Sequence, residues 1–166
     1  MTNKNIEKAY FAGGCFWGVE HLLQNQEGVI STTVGYMGGK TDHPNYEDVC
    51  YLNTGHAETV EVTFYPTQTS FETLAKNFFE IHDPTQLNRQ GPDIGDQYRS
   101  EIFYVDERQK EIAEKLIAQL KENGYEVVTK LSEAGSFWKA EEYHQKYYTK
   151  NGQEPYCHFR VHRFKD

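Results

Sequence analysis

The sequence predicts an α+β fold, a two-layer sandwich in which helices cover one face of a mixed or antiparallel sheet with a ferredoxin-like core. Segments of strand and helix periodicity interleave along a chain of 166 residues, which is the pattern of a compact α+β domain. Apolar residues make up 37% of the chain, enough for one modest core. No repeat, linker or low-complexity run divides the sequence, so we expect a single domain over residues 1–166.

The first strand and the first helix meet at a cysteine. The apolar stretch from Lys8 to Gly14 ends in glycines and predicts a buried strand. A helix is predicted next, closing at Glu27-Gly28, and its apolar positions are Cys15, Val19, Leu22 and Leu23. A second strand begins at residue 29 and runs into a glycine loop, and a third strand follows over residues 56–64 until Pro66 stops it.

A helix and a long loop occupy the middle of the chain. Thr69 with Glu72 is a capping-box pattern and predicts the start of the helix. Its buried face consists of Phe71, Leu74, Ala75, Phe78 and Phe79. The polar, turn-rich segment 82–97 is a long loop, and such loops in compact domains are more often functional than idle.

The C-terminal part continues the alternation. A strand is predicted over residues 98–105, followed by a helix that Asp106 and Gln109 begin and Gly124 ends. The buried stripe of this helix is Ile112, Ala113, Leu116, Ile117 and Leu120. A strand over 125–131 and a helix over 137–150 follow. We expect the coil-rich tail, about residues 149–166, to be extended and loosely held.

The charge balance excludes several classes of partner. The formal net charge is −8 and the pI is about 5.4, which argues against binding to nucleic acid or to an anionic membrane. The first residues lack the apolar run of a signal peptide, and no stretch approaches membrane-spanning length. We therefore expect a cytoplasmic protein with no nucleic-acid or membrane partner. We also expect a monomer.

The cysteines predict thiol chemistry rather than a disulfide framework. Cys15, Cys50 and Cys157 are odd in number and form no CxxC pair, which suits neither a disulfide scaffold nor a zinc site. His158 and His162 have no third metal ligand nearby in the sequence. We expect reduced thiols, one of them reactive, and neither a metal nor another cofactor.

Cys15 is the candidate nucleophile. It is predicted to lie in the first turn of the first helix, where unpaired amide N–H groups stabilise a thiolate and cysteine pKa values fall from ~8.5 to ~3.5–7.5. Gly13 and Gly14 permit unusual backbone angles and leave the sulfur uncovered. Phe16 and Trp17 would form an apolar wall for a substrate. The alternative is a buried cysteine acting as a small hydrophobe, with Phe16 in ordinary core packing.

Glu58 is the candidate proton donor. Side chains alternate along a strand, so Glu58 shares a face with Val60, Val62 and Phe64, whereas Glu61 lies on the opposite face. Burial on the apolar side favours the neutral acid and raises the pKa of Glu58, as proton donation requires. The alternative is a position at the rim of the strand where the carboxylate reaches water.

Six sequence blocks resemble those of the A-type peptide methionine sulfoxide reductases. Their order and spacing along nearly the whole chain agree with that family. The blocks are GCFWG (14–18), GYMGG (35–39), PNYEDVC (44–50), TGHAETV (54–60), HDPTQLNRQGPDIGDQYRS (82–100) and AEEYHQKYY (140–148).

The resemblance implies an α+β enzyme that reduces methionine-S-sulfoxide, free or in proteins, through a sulfenic acid on Cys15. It implies that Glu58 protonates the sulfoxide oxygen. It further implies three sets of binding residues: Tyr46 and Tyr98 for the sulfoxide oxygen, Phe16 and Trp17 for the S-methyl group, and Asp93 for polar contact with the substrate.

The resemblance also implies how the enzyme is recycled. Cys157 matches the resolving cysteine, which forms a disulfide with Cys15 that thioredoxin or another dithiol reduces. Cys50 matches a position that is usually not catalytic, and we expect a semi-buried thiol beside Tyr46. Pro92 stands where many members have asparagine. Two other functions fit the residues less well: a different thiol enzyme, such as a peroxidase or thioltransferase, and a peptide-binding module that grips methionine side chains.

Overall fold

A six-stranded mixed sheet forms the centre of the fold in the computed structural model, which describes residues 6–152 and 158–164. Its strands are β1 (Glu7–Gly13), β2 (Val29–Met37), β3 (Ala57–Phe64), β6 (Ser100–Tyr104), β7 (Lys130–Glu133) and β8 (Trp138–Lys139), and a separate hairpin contains β4 (Arg89–Gln90) and β5 (Asp93–Ile94). The strand order in the sheet is β7-β6-β1-β3-β2-β8. Strands β6 and β7 pair in parallel, and the other neighbours in the sheet are antiparallel.

Helices cover one face of the sheet, which confirms the predicted α+β sandwich. Their buried side chains form the main core with the inward side chains of the central strands, such as Phe11, Val60 and Val62. The opposite face carries a smaller cluster, on which Phe137 packs. The helices are α1 (Phe16–Leu23), α2 (Tyr46–Tyr51), α3 (Phe71–Ile81), α4 (Glu107–Glu122) and α5 (Tyr147–Asn151), with 3₁₀ turns at Asp96–Tyr98 and Glu142–His144. Within residues 6–152 and 158–164, every helix is too short or too polar to cross a bilayer.

The helix ends agree with the sequence in one case and differ by one residue in another. The Asp106 side chain accepts the Gln109 N–H at 2.9 Å and begins α4, as predicted. The N-cap of α3 is Ser70, whose hydroxyl accepts the Thr73 N–H at 3.1 Å. The predicted N-cap, Thr69, was wrong because its own N–H already donates to Tyr65 in the preceding turn.

Two predicted elements in the C-terminal third were wrong. The strand predicted over 125–131 begins only at Lys130, because Val128 N–H donates to the carbonyl of Pro84 in the long loop instead of to a strand. The helix predicted over 137–150 is replaced by β8, a 3₁₀ turn and α5. The reason is Gln145, whose side-chain amide bonds to both backbone groups of Val34 in β2 at 2.9 Å and holds the segment against the sheet edge.

The tail is held more firmly than predicted. Residues 158–164 form no helix or strand, as expected of coil. His158 and Phe164 are nevertheless buried, and Val161 N–H donates to the Glu80 carbonyl at 2.7 Å. The expectation of a loosely held tail was therefore wrong for this segment, because burial and hydrogen bonds to α3 fix it.

Candidate active site

Cys15 links the end of β1 to the start of α1. It is the N-cap of the helix, one residue before the predicted first turn, and its carbonyl accepts the N–H groups of Gly18 and Val19 at 3.2 and 3.4 Å. The thiol residue is partly exposed. This position places Cys15 at the positive end of the helix dipole, where an anion is favoured.

The glycines around Cys15 make room for other segments. Gly14 has φ +99°, and a Cβ there would lie 2.7 Å from the Cβ of Gln90. A Cβ at Gly18 would lie 2.2 Å from Nδ1 of His158. The backbone freedom predicted for Gly14 is present, but close packing by the long loop and the tail gives both positions an additional reason to be glycine.

Glu58 lies beside the nucleophile and is buried, with 2% of its surface exposed. Its Oε1 accepts the Phe16 N–H at 3.2 Å, and that amide is the peptide bond to Cys15. No group among residues 6–152 and 158–164 hydrogen-bonds to Oε2. Burial raises the pKa of Glu58 to about 8, with a further rise from the charge of Asp93 and an opposing effect from the Phe16 N–H. The prediction that Glu58 faces the apolar side is confirmed.

Two phenols and a thiol lie together near this carboxyl. The hydroxyls of Tyr46 and Tyr98 and the thiol of Cys50 are close enough to shift one another's pKa. Burial raises the pKa of both tyrosines, and the charge of Glu58 raises each further. Both phenols therefore stay protonated at neutral pH and act as O–H donors. The expected semi-buried Cys50 beside Tyr46 is confirmed.

Tyr46 is fixed by the elements on either side of it. It is the first residue of α2, a short helix that the sequence analysis did not predict. The Asn45 side chain accepts the Asp48 N–H at 2.8 Å in a capping box. The Glu141 carboxylate accepts the Tyr46 N–H at 2.8 Å and the Tyr36 O–H at 2.9 Å. Tyr46 is thus held through its backbone, which leaves its hydroxyl to face the site.

An aromatic group forms the apolar part of the site. The Trp17 ring stacks on Tyr147 with centroids 3.7 Å apart, and its indole N–H donates to Nδ1 of His144 at 2.9 Å. The His144 ring lies 5.2 Å from Phe16 and 4.6 Å from Tyr46. Phe16 is fully buried and belongs to the main core. The core-packing alternative therefore holds for Phe16, which supports the aromatic group from beneath.

His144 and Tyr147 lie in the candidate site, and reasoning from individual residues missed them. The sequence signal for them was the block AEEYHQKYY, since nothing in the spacing of the seven histidines favours one over another. Burial lowers the pKa of His144, so the ring is neutral. Because Nδ1 accepts the Trp17 N–H, the ring proton lies on Nε2.

The long loop brings Asp93 to the site. Asp93 lies in β5, and its charge raises the pKa of Glu58 and of Tyr98. The Gln90 side chain holds the loop by bonding to both backbone groups of Asp83, at 2.7 and 2.9 Å. Cys157 lies outside the described residues. Within 6–152 and 158–164, no cluster of three or more histidine, cysteine or acidic side chains is suited to a metal ion.

The burial of Glu58 makes a prediction about stability. The pKa of Glu58 rises from 4.5 to about 8 in the folded protein. The protonated carboxyl therefore stabilises the folded state fully below pH 4.5, and this stabilisation is lost as the pH rises through 8. Glu58→Gln keeps an acceptor for the Phe16 N–H but does not titrate. We expect the variant to gain on the order of 4 kcal/mol in unfolding free energy relative to wild type between these two pH values.

Urea denaturation of both proteins at pH 5, 6, 7 and 8 measures this difference. A constant difference across the series would show that the Glu58 carboxyl ionises as readily in the folded protein as in the unfolded chain.

The chain is similar to known proteins over most of its length. The family model described as peptide methionine sulfoxide reductase matches residues 7–166. A peptide methionine sulfoxide reductase MsrA of Nautilia profundicola is 51% identical over 156 residues, which cover 94% of this chain and 90% of the relative.

Solved structures agree with the fold. Mxr1 from Saccharomyces cerevisiae in reduced form superimposes with a TM-score of 0.87 at 35% identity, covering 96% of this chain and 94% of that one. Mxr1 in complex with Trx2 superimposes with a TM-score of 0.64 at 25% identity, covering 96% and 92%.

Proposed function

The chain belongs to the peptide methionine sulfoxide reductase family, and from this premise we propose how its residues carry out the reduction. Members of the family reduce methionine sulfoxide, and this protein is such an enzyme. In our proposal the substrate is methionine-S-sulfoxide, the Cys15 thiolate is the nucleophile and Glu58 is the acid. The observation that carries the proposal is the 3.2 Å bond from the Phe16 N–H to the buried Glu58, because it places a protonated carboxyl beside the cysteine.

The first step moves one oxygen from the substrate to the enzyme. The Cys15 sulfur attacks the sulfoxide sulfur while Glu58 protonates the oxygen, which is otherwise a poor leaving group. The hydroxyl then moves to the Cys15 sulfur as the transient sulfur–sulfur bond breaks, which yields methionine and the Cys15 sulfenic acid. The substrate sulfur is reduced by two electrons and the cysteine sulfur is oxidised by two.

The neighbouring side chains bind the substrate in this scheme. Tyr46 and Tyr98 donate hydrogen bonds to the sulfoxide oxygen and stabilise its developing charge, as protonated phenols are able to do. Trp17 provides the apolar wall for the S-methyl group, with Phe16 behind it. Asp93 provides a polar contact at the mouth of the loop.

Recycling requires a second thiol, and we assign it to Cys157. Its thiol attacks the Cys15 sulfenic acid, forming a disulfide and releasing water, and an external dithiol then returns both cysteines to the reduced state. Support comes from the next residue, since Nε2 of His158 lies 2.7 Å from the Gly13 carbonyl, two residues before Cys15. The Mxr1 complex with Trx2 supports thioredoxin as that dithiol.

Cys157→Ser is expected to permit one turnover. Mixed with excess methionine sulfoxide and thioredoxin, the variant should form about one methionine per enzyme, because nothing converts the sulfenic acid into a disulfide. Quantifying methionine and measuring the enzyme mass by mass spectrometry tests this. The wild type, given one equivalent of substrate without reductant, should instead show a Cys15–Cys157 bridge. Steady cycling of the variant would refute the assignment of Cys157.

A further inference from the structure

The tail beyond Cys157 is clamped to α3 by one buried carboxylate. Only 5% of the Glu80 side chain is exposed. Its Oε1 accepts two bonds from the Arg160 guanidinium, at 2.8 and 3.2 Å, and Oε2 accepts the Arg163 N–H at 3.0 Å. The Glu80 carbonyl also accepts the Val161 N–H at 2.7 Å, and Asn77 accepts a further Arg160 bond at 2.7 Å. We call this set of contacts the tail clamp.

Burying the Glu80 carboxylate costs free energy, so the tail clamp is more than an incidental surface contact. A buried carboxylate loses its hydration and is tolerated only when charged or polar groups replace that hydration. Among residues 6–152 and 158–164, the groups that bond or pair with the Glu80 carboxylate belong to residues 160–163. None of these residues belongs to the group that surrounds Cys15 and Glu58.

A second contact fixes the same segment at the end nearer to Cys15. The His158 ring is buried and packs where side chains at Gly14 and Gly18 would otherwise lie, and Nε2 bonds to the Gly13 carbonyl. The segment is therefore fixed at both ends, at α3 and at the start of α1. Cys157 is the residue immediately before His158 in the chain.

We propose that Glu80 is a positioning residue for the recycling step. This inference rests on the proposed function, in which Cys157 attacks the Cys15 sulfenic acid to give a disulfide and water. By anchoring residues 160–163, Glu80 keeps the tail against α1 and raises the effective concentration of the Cys157 thiol at Cys15. The first step needs no contribution from the tail clamp, because Glu80 does not contact the groups that attack or protonate the sulfoxide.

The test separates the two steps in Glu80→Gln and Arg160→Gln. Each protein is mixed with one equivalent of methionine sulfoxide without reductant and quenched over time, and methionine and the Cys15–Cys157 bridge are both quantified. We expect methionine formation at the wild-type rate and bridge formation slowed by about 10-fold, the scale on which a loosened tether lowers effective concentration. Arg160 is 54% exposed on its side chain, so its variant keeps the test valid where Glu80→Gln lowers stability.

Glu72→Gln is the matched control. Glu72 lies on the same helix and pairs with Lys76 at 3.7 Å. Lys76 in turn lies 5.7 Å from the centre of the Phe164 ring, but Glu72 makes none of the tail-clamp contacts, so both rates should remain at wild-type values. Bridge formation at the wild-type rate in Glu80→Gln and Arg160→Gln overturns the inference, and so does an equal slowing of both steps, which indicates a merely structural role. A wild type that makes methionine without any bridge overturns the inference and the recycling scheme together.

Discussion

Cys15→Ser is expected to abolish methionine formation, in a single turnover as well as in steady state. The hydroxyl of serine is far less acidic than a thiol, and its oxygen has no accessible oxidised state to receive the sulfoxide oxygen. Loss of a catalytic nucleophile lowers rates by about 10⁵-fold or more. Chromatographic measurement of methionine after mixing enzyme with sulfoxide is the direct assay.

Cys50→Ser is the comparison for this result. Serine retains a hydrogen-bonding group for Tyr46 and Tyr98, so we expect turnover within a few-fold of wild type. Measurable methionine from Cys15→Ser would show that another group takes the oxygen. Loss of activity in the Cys50 variant alone would move the nucleophile to the second thiol.

Glu58→Gln is expected to slow the single-turnover step by about 10²- to 10³-fold, the usual contribution of a general acid. The amide still accepts the Phe16 N–H and fills the same space, so substrate binding should change little. Only the proton for the departing oxygen is lost. Stopped-flow or quench measurement at saturating sulfoxide distinguishes the chemical step from binding.

Glu61→Gln tests whether the effect depends on the face of the strand. Glu61 lies in β3 like Glu58 but on the opposite face, where Tyr10 and Lys8 bond to it. We expect its variant to retain the wild-type single-turnover rate. An equal loss in both variants would mean that the strand, rather than the Glu58 carboxyl, was disturbed.

Much of this site could be predicted from local patterns. The alternation of β3 distinguishes Glu58 from Glu61, because the direction of a strand side chain depends only on its parity. The glycines before Cys15 indicate a tight turn, and the turn contains Gly14 at φ +99°. These features depend on a few adjacent residues, so the sequence contains the information that places them.

Other features depend on contacts between distant residues. Gly18 is explained by His158, 140 residues later, and no local pattern relates the two. The sequence around Gln145 predicts an ordinary polar helix residue. In the structure its side chain instead pairs with the backbone of Val34. The clamped tail was missed for the same reason. Nothing in the sequence around Arg160 or Glu80 indicates that the two side chains pair, and only the fold brings them together.

The dependence of the single-turnover rate on pH tests the central claim most directly. An acid with a pKa of about 8 is protonated at neutral pH and loses its proton above pH 8, so the wild-type rate should fall on the alkaline side by up to about 10-fold per pH unit. The slower Glu58→Gln reaction should show no such fall, because the amide does not titrate. Parallel alkaline declines in the two proteins, or a wild-type rate that stays constant beyond pH 9, would contradict proton donation by a buried, neutral Glu58.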